Sequence, residues 1–299
     1  MCQLFALSAR QPQSLNSTLF EFFTHADKNP HGWGYADFAA SPPEIIRSPE
    51  RADVGPLAAR FLTHPHVTHA ALAHIRYATI GQVELANCHP FAASDVSGRS
   101  WTLMHKGTIF DYPPLNPYFE IQEGSTDSER ITLYLLDWIN AATENKGAPL
   151  VAEERFAVFS YLVEVLSPGN CVNLVVHDGE YFFIYSNYLG GLNILTGQGG
   201  VLFCTSELAA AFELSAFAHP AAVAQRPASS TAPLQPAVLA TGQPPVPAVA
   251  PPPAWQPLTL CTPLGYQSGE LVFSGAAVGE QYFDKAEDTR YLYQDYAAL

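Results

Sequence analysis

The order of the predicted elements is the feature that most constrains the fold of this 299-residue chain. Alternating apolar patterns indicate strands near the N-terminus, beginning with Gln3 to Ser8. Helical patterns follow, and apolar runs of strand length return from about residue 171 onward. Regular alternation of strands and helices would favour a parallel sheet, whereas grouped strands and helices favour antiparallel sheets. The sequence therefore predicts an α+β fold built on antiparallel sheets.

Three segments have the apolar spacing of helices. The first runs from Leu15 to His25, with Ser14 as its expected cap. The second follows Thr126, where the T-x-x-E spacing of a capping box precedes an apolar stripe. The third runs from about Glu154 to Leu166 and stops at a Ser-Pro-Gly turn. HGWGYADF at 31–38 is predicted as a strand or a loop, and the other predicted strands are Ala71–Arg76, Trp101–Met104, Cys171–His177, Tyr181–Tyr185, Leu192–Leu195, Val201–Thr205 and Leu271–Phe273.

A proline-rich segment lies near the C-terminus. Ten of the chain's 25 prolines fall between Pro220 and Pro253, where Arg226 is the only Asp, Glu, Lys or Arg. Such a composition favours extended or disordered chain, and the 46 residues after it are few for an independent domain. We predict one domain over residues 1–299 with a flexible surface insertion at about 209–254. A linker between domains and a partner-binding segment are the alternatives.

Charge and cysteine usage narrow the class of protein. The net charge of -14 argues against nucleic acid or an anionic membrane surface as a partner. No apolar run approaches the roughly 20 residues of a membrane helix, and no signal peptide is visible. The five cysteines are scattered without a CxxC pair, which argues against a disulfide scaffold and a structural zinc site. We expect a cytoplasmic protein with no metal and no cofactor.

Cys2 directly follows the initiator methionine. Removal of Met1 would leave one residue that carries both a thiol and a free α-amine. Reference pKa values are about 8.5 for the thiol and roughly 7.7–8.0 for the amine, so the amine can act as base for the thiol near neutral pH. On this residue alone, the simpler interpretation is that position 2 tolerates a small residue. The rest of the chain has to decide between these two interpretations.

Two charged residues lie where a ligand could meet them. Arg76 ends an apolar predicted strand, and a buried arginine needs an anion, either an internal carboxylate such as Glu84 or a ligand. Asp127 lies at a predicted helix start, where free N–H groups stabilise a carboxylate with or without a ligand. Together they could hold the carboxylate and the amine of an α-amino acid. With Cys2 as nucleophile, the chemistry would be acyl transfer from the side chain of that amino acid.

The chain resembles the class II glutamine amidotransferases, in particular the stand-alone bacterial type of the N-terminal nucleophile hydrolase superfamily. The resemblance lies in MCQLFALS, HGWGYADF, AHIRYATIGQVELANCHPF, WTLMHKGTIFDYPPLN and STDSERITLYLLD, and more loosely in NLVVHDGEYFFIYSNY, LFCTSEL, WQPL and GELVFSG. It implies a four-layer αββα sandwich of two antiparallel sheets flanked by helices. It also implies hydrolysis of the glutamine side-chain amide through a γ-glutamyl thioester, which releases ammonia and glutamate.

The resemblance assigns roles to matching positions. Cys2 would be the nucleophile, and its α-amine would act as the general base and then deliver a proton to the leaving ammonia. Arg76 would hold the α-carboxylate of the substrate, and Asp127 would hold its α-amine. Backbone groups around Thr79 and Gly34 would line the pocket.

The chain departs from the family pattern at the oxyanion hole. The family motif is His-Asn-Gly, and this chain has His105-Lys106-Gly107. Gly107 would donate its backbone N–H to the oxyanion, whereas Lys106 can donate but lacks the fixed geometry of a short amide. We expect weakened or altered activity, with a non-catalytic amidotransferase-like binding protein as the alternative. His74 and His89 of the matching motifs are expected, with His105, to be structural.

The expected substrate is glutamine or another γ-glutamyl compound. A γ-glutamyl amide or peptide hydrolase is the alternative, because the same two charged groups would hold a larger substrate. Family members are often fused to a synthase that consumes the ammonia. A chain of this length has no room for such a domain, so a separate synthase or the solvent would receive the ammonia.

Overall fold

Two antiparallel sheets form the centre of the molecule. The structure is a computed structural model and describes residues 2–197, 199–210 and 254–283. The predicted insertion at 209–254 therefore lies almost entirely outside the described residues. Both sheets are antiparallel throughout their strand pairs, which confirms the α+β prediction.

The first sheet has seven strands within the described residues, with the first strand of the chain at its centre. Their spatial order is β11 (Gln256–Pro257), β9 (Asn193–Gly197), β10 (Gly200–Cys204), β1 (Gln3–Ser14), β4 (Val67–Ile75), β2 (Trp33–Asp37) and β3 (Glu44–Ser48). The second sheet has six strands in the same part of the chain. Their spatial order is β13 (Glu270–Ser274), β12 (Leu264–Gln267), β8 (Phe182–Ser186), β7 (Asn173–His177), β6 (Ser100–His105) and β5 (Phe91–Ser94).

Helices cover the outer faces of the two sheets. The described residues contain α1 (Asn16–Thr24), α2 (Pro56–Leu62), α3 (Asp127–Lys146) and α4 (Ala152–Leu166). One apolar cluster joins α1 and α2 to the first sheet, and another joins α3 and α4 to the second sheet. A third cluster combines residues of both sheets, among them Leu4, Leu72 and Met104. Helix, sheet, sheet and helix therefore form the four layers that the resemblance implied.

Side-chain alternation along β1 explains why this strand is central. Leu4 and Ala6 belong to the cluster between the sheets, whereas Phe5 and Leu7 belong to the cluster under the helices. Successive side chains of a strand point to opposite faces, so an apolar residue is needed at each position of a strand covered on both sides. All four side chains are buried.

The prediction that Ser14 caps the first helix is wrong. Ser14 is the last residue of β1, where it pairs with Val67, and Leu15 takes the N-cap position without a side-chain hydrogen bond. Strand pairing and complete burial of Leu15 override the capping preference of serine. The prediction also missed β3, α2, β5, β11 and β12, which are mostly short elements.

No helix in the described ranges combines the length and the apolar character needed to cross a membrane.

Close packing of β2 against the segment around His89 leaves no space for a side chain at Gly34. A Cβ atom added there would lie 2.0 Å from the carbonyl oxygen of His89. Backbone atoms cannot move away as a flexible side chain can. The glycine at this position is therefore required by packing between the two segments.

Replacement of Gly34 by alanine is expected to lower the free energy of unfolding by about 1–3 kcal/mol, because the added methyl group overpacks a buried contact. The matched control is Gly197→Ala, where the nearest atom to an added Cβ is 3.9 Å away. Urea unfolding of both variants measures the effect. Equal unfolding midpoints for the two variants would show that the contact at His89 is not a constraint.

Candidate active site around Cys2

Pairing of β1 with β4 places Cys2 beside the end of β4. Gln3 pairs with Ile75, so the preceding residue lies next to Arg76 and Tyr77. The backbone N–H of Tyr77 donates to the Cys2 sulfur at 3.3 Å, and the thiol donates to the Tyr77 carbonyl oxygen, also at 3.3 Å. Strand alternation directs the Cys2 side chain to the same side as Leu4, toward the space between the sheets. The backbone of Tyr77 thus fixes the position of the thiol.

Arg76 is buried in a cradle of backbone carbonyl groups. Its guanidinium donates to the carbonyl oxygens of Ile80 at 2.8 Å, Gly81 at 3.1 Å and Gln82 at 2.8 Å. Neither Glu84 nor any other described acid forms an ion pair with it. A guanidinium has more N–H donors than these three bonds use. The remaining donors of a charged, buried and oriented group are therefore available to an anionic ligand.

Asp127 is the first residue of α3, and its carboxylate is buried. One carboxylate oxygen accepts the backbone N–H of Ile109 at 2.9 Å and lies 4.0 Å from Nδ1 of His105. The predicted cap is present, because Thr126 Oγ1 accepts the N–H of Glu129 at 3.2 Å. The carboxylate of Glu129, however, does not return to the cap residue. It accepts the backbone N–H groups at 123 and 124 and so orders the turn before the helix.

The turn after β6 is held by hydrogen bonds on both sides of Gly107. Lys106 is held at both backbone groups by Asn173, since its N–H donates to the Asn173 carbonyl at 2.9 Å and its carbonyl accepts the Asn173 amide at 2.6 Å. Thr108 donates to the Cys171 carbonyl at 3.0 Å. Between them, the Gly107 N–H has no hydrogen-bond acceptor among the described residues. A Cβ at Gly107 would lie 1.9 Å from the Cys171 carbonyl oxygen, so only glycine fits.

The side chain of Lys106 is buried near the thiol. Its ammonium forms no ion pair with any residue in the described part of the chain. Burial lowers the pKa of Lys106, and the nearby Cys2 sulfur opposes that effect. Burial likewise raises the pKa of the Cys2 thiol, while the Tyr77 hydrogen bond and the charges of Arg76 and Lys106 lower it. The thiol thus rests protonated, with two cations placed to stabilise negative charge once it forms.

His74 and His89 form a buried pair behind this site. Their ring centroids are 4.1 Å apart, and their four ring nitrogens have no hydrogen-bond partner in the described structure. Burial holds the pKa of each imidazole well below its usual range, and the charge of Arg76 adds to the effect. His105 differs, because its ring lies 3.1 Å from Ser128 Oγ and 3.2 Å from the Cys171 carbonyl oxygen. No group of His, Cys, Asp or Glu in the described ranges is arranged to hold a metal ion.

The predicted residues do not all lie at one point. Arg76 is within electrostatic range of both Cys2 and Asp127. Thr79 is partly exposed in the loop that follows Arg76. Gly34 lies on β2, where it pairs with His74 of β4 and packs against His89.

Sequence reasoning missed two residues that shape the site. His31 accepts the N–H of Ala78 at its Nδ1, at 2.9 Å, and its ring lies 5.2 Å from that of Tyr77. Asn173 holds the turn at Lys106, as described above. The position of His31 directly before the Gly-Trp-Gly segment was an available signal. Asn173 gave none, because its contact joins residues 67 positions apart.

Comparison with known proteins places this arrangement in a family. Residues 1–203 match the family model described as "Glutamine amidotransferases class-II". The chain is 26% identical over 188 residues to a Haemophilus influenzae protein named "Putative glutamine amidotransferase", which covers 62% of this chain and 63% of that protein. It is 29% identical over 194 residues to the Escherichia coli protein named "Putative glutamine amidotransferase YafJ", which covers 62% and 72% respectively. The chain thus matches less than two thirds of the length of the first relative.

Solved structures share the fold. A crystal structure of a predicted glutamine amidotransferase from Pseudomonas aeruginosa superposes with a TM-score of 0.54 at 18% identity, covering 91% of this chain and all of that one. The glutamine phosphoribosylpyrophosphate amidotransferase of B. subtilis superposes with a TM-score of 0.55 at 11% identity, covering 92% of this chain and 48% of that one. At such identities the superpositions support the fold.

The buried histidine pair predicts a loss of stability in acid. Below about pH 6.5 the unfolded chain binds protons at these positions while the native state does not, so the free energy of unfolding falls as pH falls. Each histidine contributes a slope of up to about 1.4 kcal/mol per pH unit. Urea unfolding between pH 7.5 and pH 5.5 measures it. His89→Asn should flatten the slope, the exposed control His64→Asn should not, and an unchanged slope in His89→Asn would contradict the prediction.

Proposed function

This chain belongs to the class-II glutamine amidotransferases, and from that premise we propose that Cys2 hydrolyses the side-chain amide of glutamine through a γ-glutamyl thioester. One observation carries the proposal: a thiol fixed by the Tyr77 backbone lies within range of a buried guanidinium with unused donors. The backbone N–H of Gly107 has no acceptor among the described residues and can serve an oxyanion.

The reaction begins once Met1 has been removed. The free α-amine of Cys2 takes the proton of the thiol, and the sulfur attacks the amide carbon of glutamine. A base is needed because burial raises the pKa of this thiol and keeps it protonated. The amine then delivers its proton to the leaving nitrogen as the C–N bond breaks and ammonia departs. Water attacks the resulting thioester, which releases glutamate and restores the thiol.

Arg76 and Asp127 select the substrate. The remaining N–H donors of the Arg76 guanidinium bind the α-carboxylate of glutamine, and the Asp127 carboxylate binds its α-ammonium. Backbone groups near Thr79 contribute to the wall of the pocket. Gly34 contributes indirectly, because its packing against His89 allows the neighbouring segments to approach each other.

Lys106 supplies the second donor to the oxyanion. Its ammonium is near the Cys2 sulfur and has no partner in the described structure, so it is free to turn toward negative charge on the substrate oxygen. A flexible ammonium orients less firmly than the short amide of the family motif. We therefore propose an active enzyme that turns over more slowly than one with asparagine at this position.

The ammonia passes to a separate ammonia-consuming synthase or to solvent. We place the reaction in the cytoplasm, a compartment that suits five cysteines that form no disulfide in the described structure.

A γ-glutamyl amide or peptide hydrolase is a second candidate. Arg76 and Asp127 would hold the α-amino-acid portion of a γ-glutamyl compound with a larger leaving group in the same way as they hold that of glutamine. Comparison of glutamate release from L-glutamine and from γ-glutamyl dipeptides by the purified protein distinguishes the two substrates.

Cys2→Ala is expected to lower glutamate release from glutamine by at least about 10³-fold, because the nucleophile is lost. The assay uses protein whose N-terminus has been verified by mass spectrometry to begin at residue 2. Cys261→Ala is the matched control, since Cys261 is also a partly exposed free cysteine. Retention of more than a tenth of the activity in Cys2→Ala would exclude the thioester route.

Lys106→Met is expected to lower kcat by about 10–100-fold with little change in KM, because the oxyanion exists only beyond the ground state. Lys106→Asn should equal or exceed the wild-type kcat. Lys146→Met, at an exposed lysine near the end of α3, serves as the control. A Lys106→Met variant with wild-type kcat would remove Lys106 from the oxyanion hole. Glutamine binding without any glutamate release by the wild type would favour the non-catalytic alternative.

A further inference from the structure

Asn87 is a fully buried polar residue outside the set of groups that contact substrate in the proposed reaction. It ends a short 3₁₀ turn between the loop after Arg76 and β5. Its side-chain amide nitrogen donates to the Gln82 carbonyl at 3.0 Å and to Glu84 Oε1 at 2.9 Å. The same nitrogen lies 3.0 Å from Ser125 Oγ, and the amide oxygen accepts the Ser125 N–H at 2.7 Å.

These contacts join two segments that are distant in sequence. One is the loop 80–84, whose carbonyl groups at 80, 81 and 82 hold the Arg76 guanidinium. The other is the turn that ends at Thr126, directly before Asp127 at the start of α3. On one side Asn87 therefore contacts the cradle of Arg76 directly, at the Gln82 carbonyl, and on the other it contacts Ser125, two positions before Asp127.

Two glycines allow this close approach. A Cβ added at Gly81, where φ is +77°, would lie 2.8 Å from Ser125 Oγ and 2.9 Å from the Asn87 amide nitrogen. A Cβ added at Gly124 would lie 2.2 Å from the Asn87 amide oxygen. The loop 80–84 and the turn before α3 thus both pack against the Asn87 amide. Every polar atom of that amide is used, which fixes its orientation.

The distance between the Arg76 guanidinium and the Asp127 carboxylate matters because, in the proposed reaction, they bind two groups of the same amino acid. The α-carboxylate and the α-ammonium are attached to one atom, so the two receptors must be held at one separation. Misplacement of a binding group by about 1 Å can cost on the order of 10²-fold in rate. An element that ties one receptor to the other therefore controls recognition of the α-amino-acid portion.

We propose that Asn87 is a positioning residue that sets the separation of Arg76 and Asp127 and thereby the preference for L-α-amino-acid substrates over analogues that lack the α-amine. The proposal deepens the proposed function and rests on its assignment of Arg76 and Asp127. Asn87 itself does not contact the substrate in this proposal.

The test measures binding without turnover. In the Cys2→Ala background, calorimetry gives the Kd of L-glutamate and of glutarate, which lacks the α-amine. The matched control is Asn16→Ala, because Asn16 also ties distant segments through its side chain, to the backbone at 62, 64 and 66, none of which belongs to the Arg76 cradle or to the turn before α3. Adding Asn87→Ala should lower the preference for L-glutamate over glutarate at least tenfold. Adding Asn16→Ala should leave that preference within twofold.

A second variant and a folding measurement keep the proposal testable if Asn87→Ala is unstable. Asn87→Ser retains one donor and should lose less of the preference than Asn87→Ala, whereas thermal unfolding reports stability separately. Equal preferences in the Asn87 and Asn16 variants would overturn the proposal, and so would a Cys2→Ala protein that does not discriminate L-glutamate from glutarate. Failure of the proposed function would be seen in a different assay, as absence of glutamate release by the wild-type protein.

Discussion

The antiparallel pairing of β1 with β4 determines the geometry of the candidate active site. It sets Gln3 opposite Ile75, and the backbone of Tyr77 then binds the Cys2 sulfur on both its N–H and its carbonyl side. A slip of one residue would exchange the two faces of β1 and move Phe5 and its neighbours to the wrong apolar cluster. The core on both sides of the sheet therefore enforces the register that places the thiol.

Charge is concentrated in the space between the two sheets at this end of the molecule. Arg76 and Lys106 are buried there, and neither forms an ion pair with another described residue. Burial of a cation is costly unless polar groups compensate for the lost water. Carbonyl oxygens compensate Arg76, while the Lys106 ammonium has no ion-pair partner within the described chain. Such incomplete compensation is typical of functional sites, where a ligand completes the set of interactions.

The sequence was more informative about the sheets and helices than about the residues that hold the candidate site in position. Apolar alternation and grouping of elements indicated antiparallel sheets and the helices after Thr126, because burial determines both pattern and fold, whereas the four-layer arrangement was implied by the family resemblance. Ser14 failed as a cap because strand pairing extended through it. Cys2, Arg76 and Asp127 were found through chemistry and through family resemblance. Asn87 was not found, because its contacts with residue 125 span 38 positions and leave no periodic trace.

Covalent labelling of Cys2 tests the central claim most directly. Protein that begins at residue 2 is treated with a diazo-ketone analogue of glutamine, and the modified peptide is identified by mass spectrometry. The account predicts one adduct, on Cys2, whose formation L-glutamine slows in proportion to its concentration. Absence of an adduct on Cys2 in protein shown to lack Met1, or labelling that L-glutamine does not slow, would contradict an amino-acid-binding nucleophile at this position.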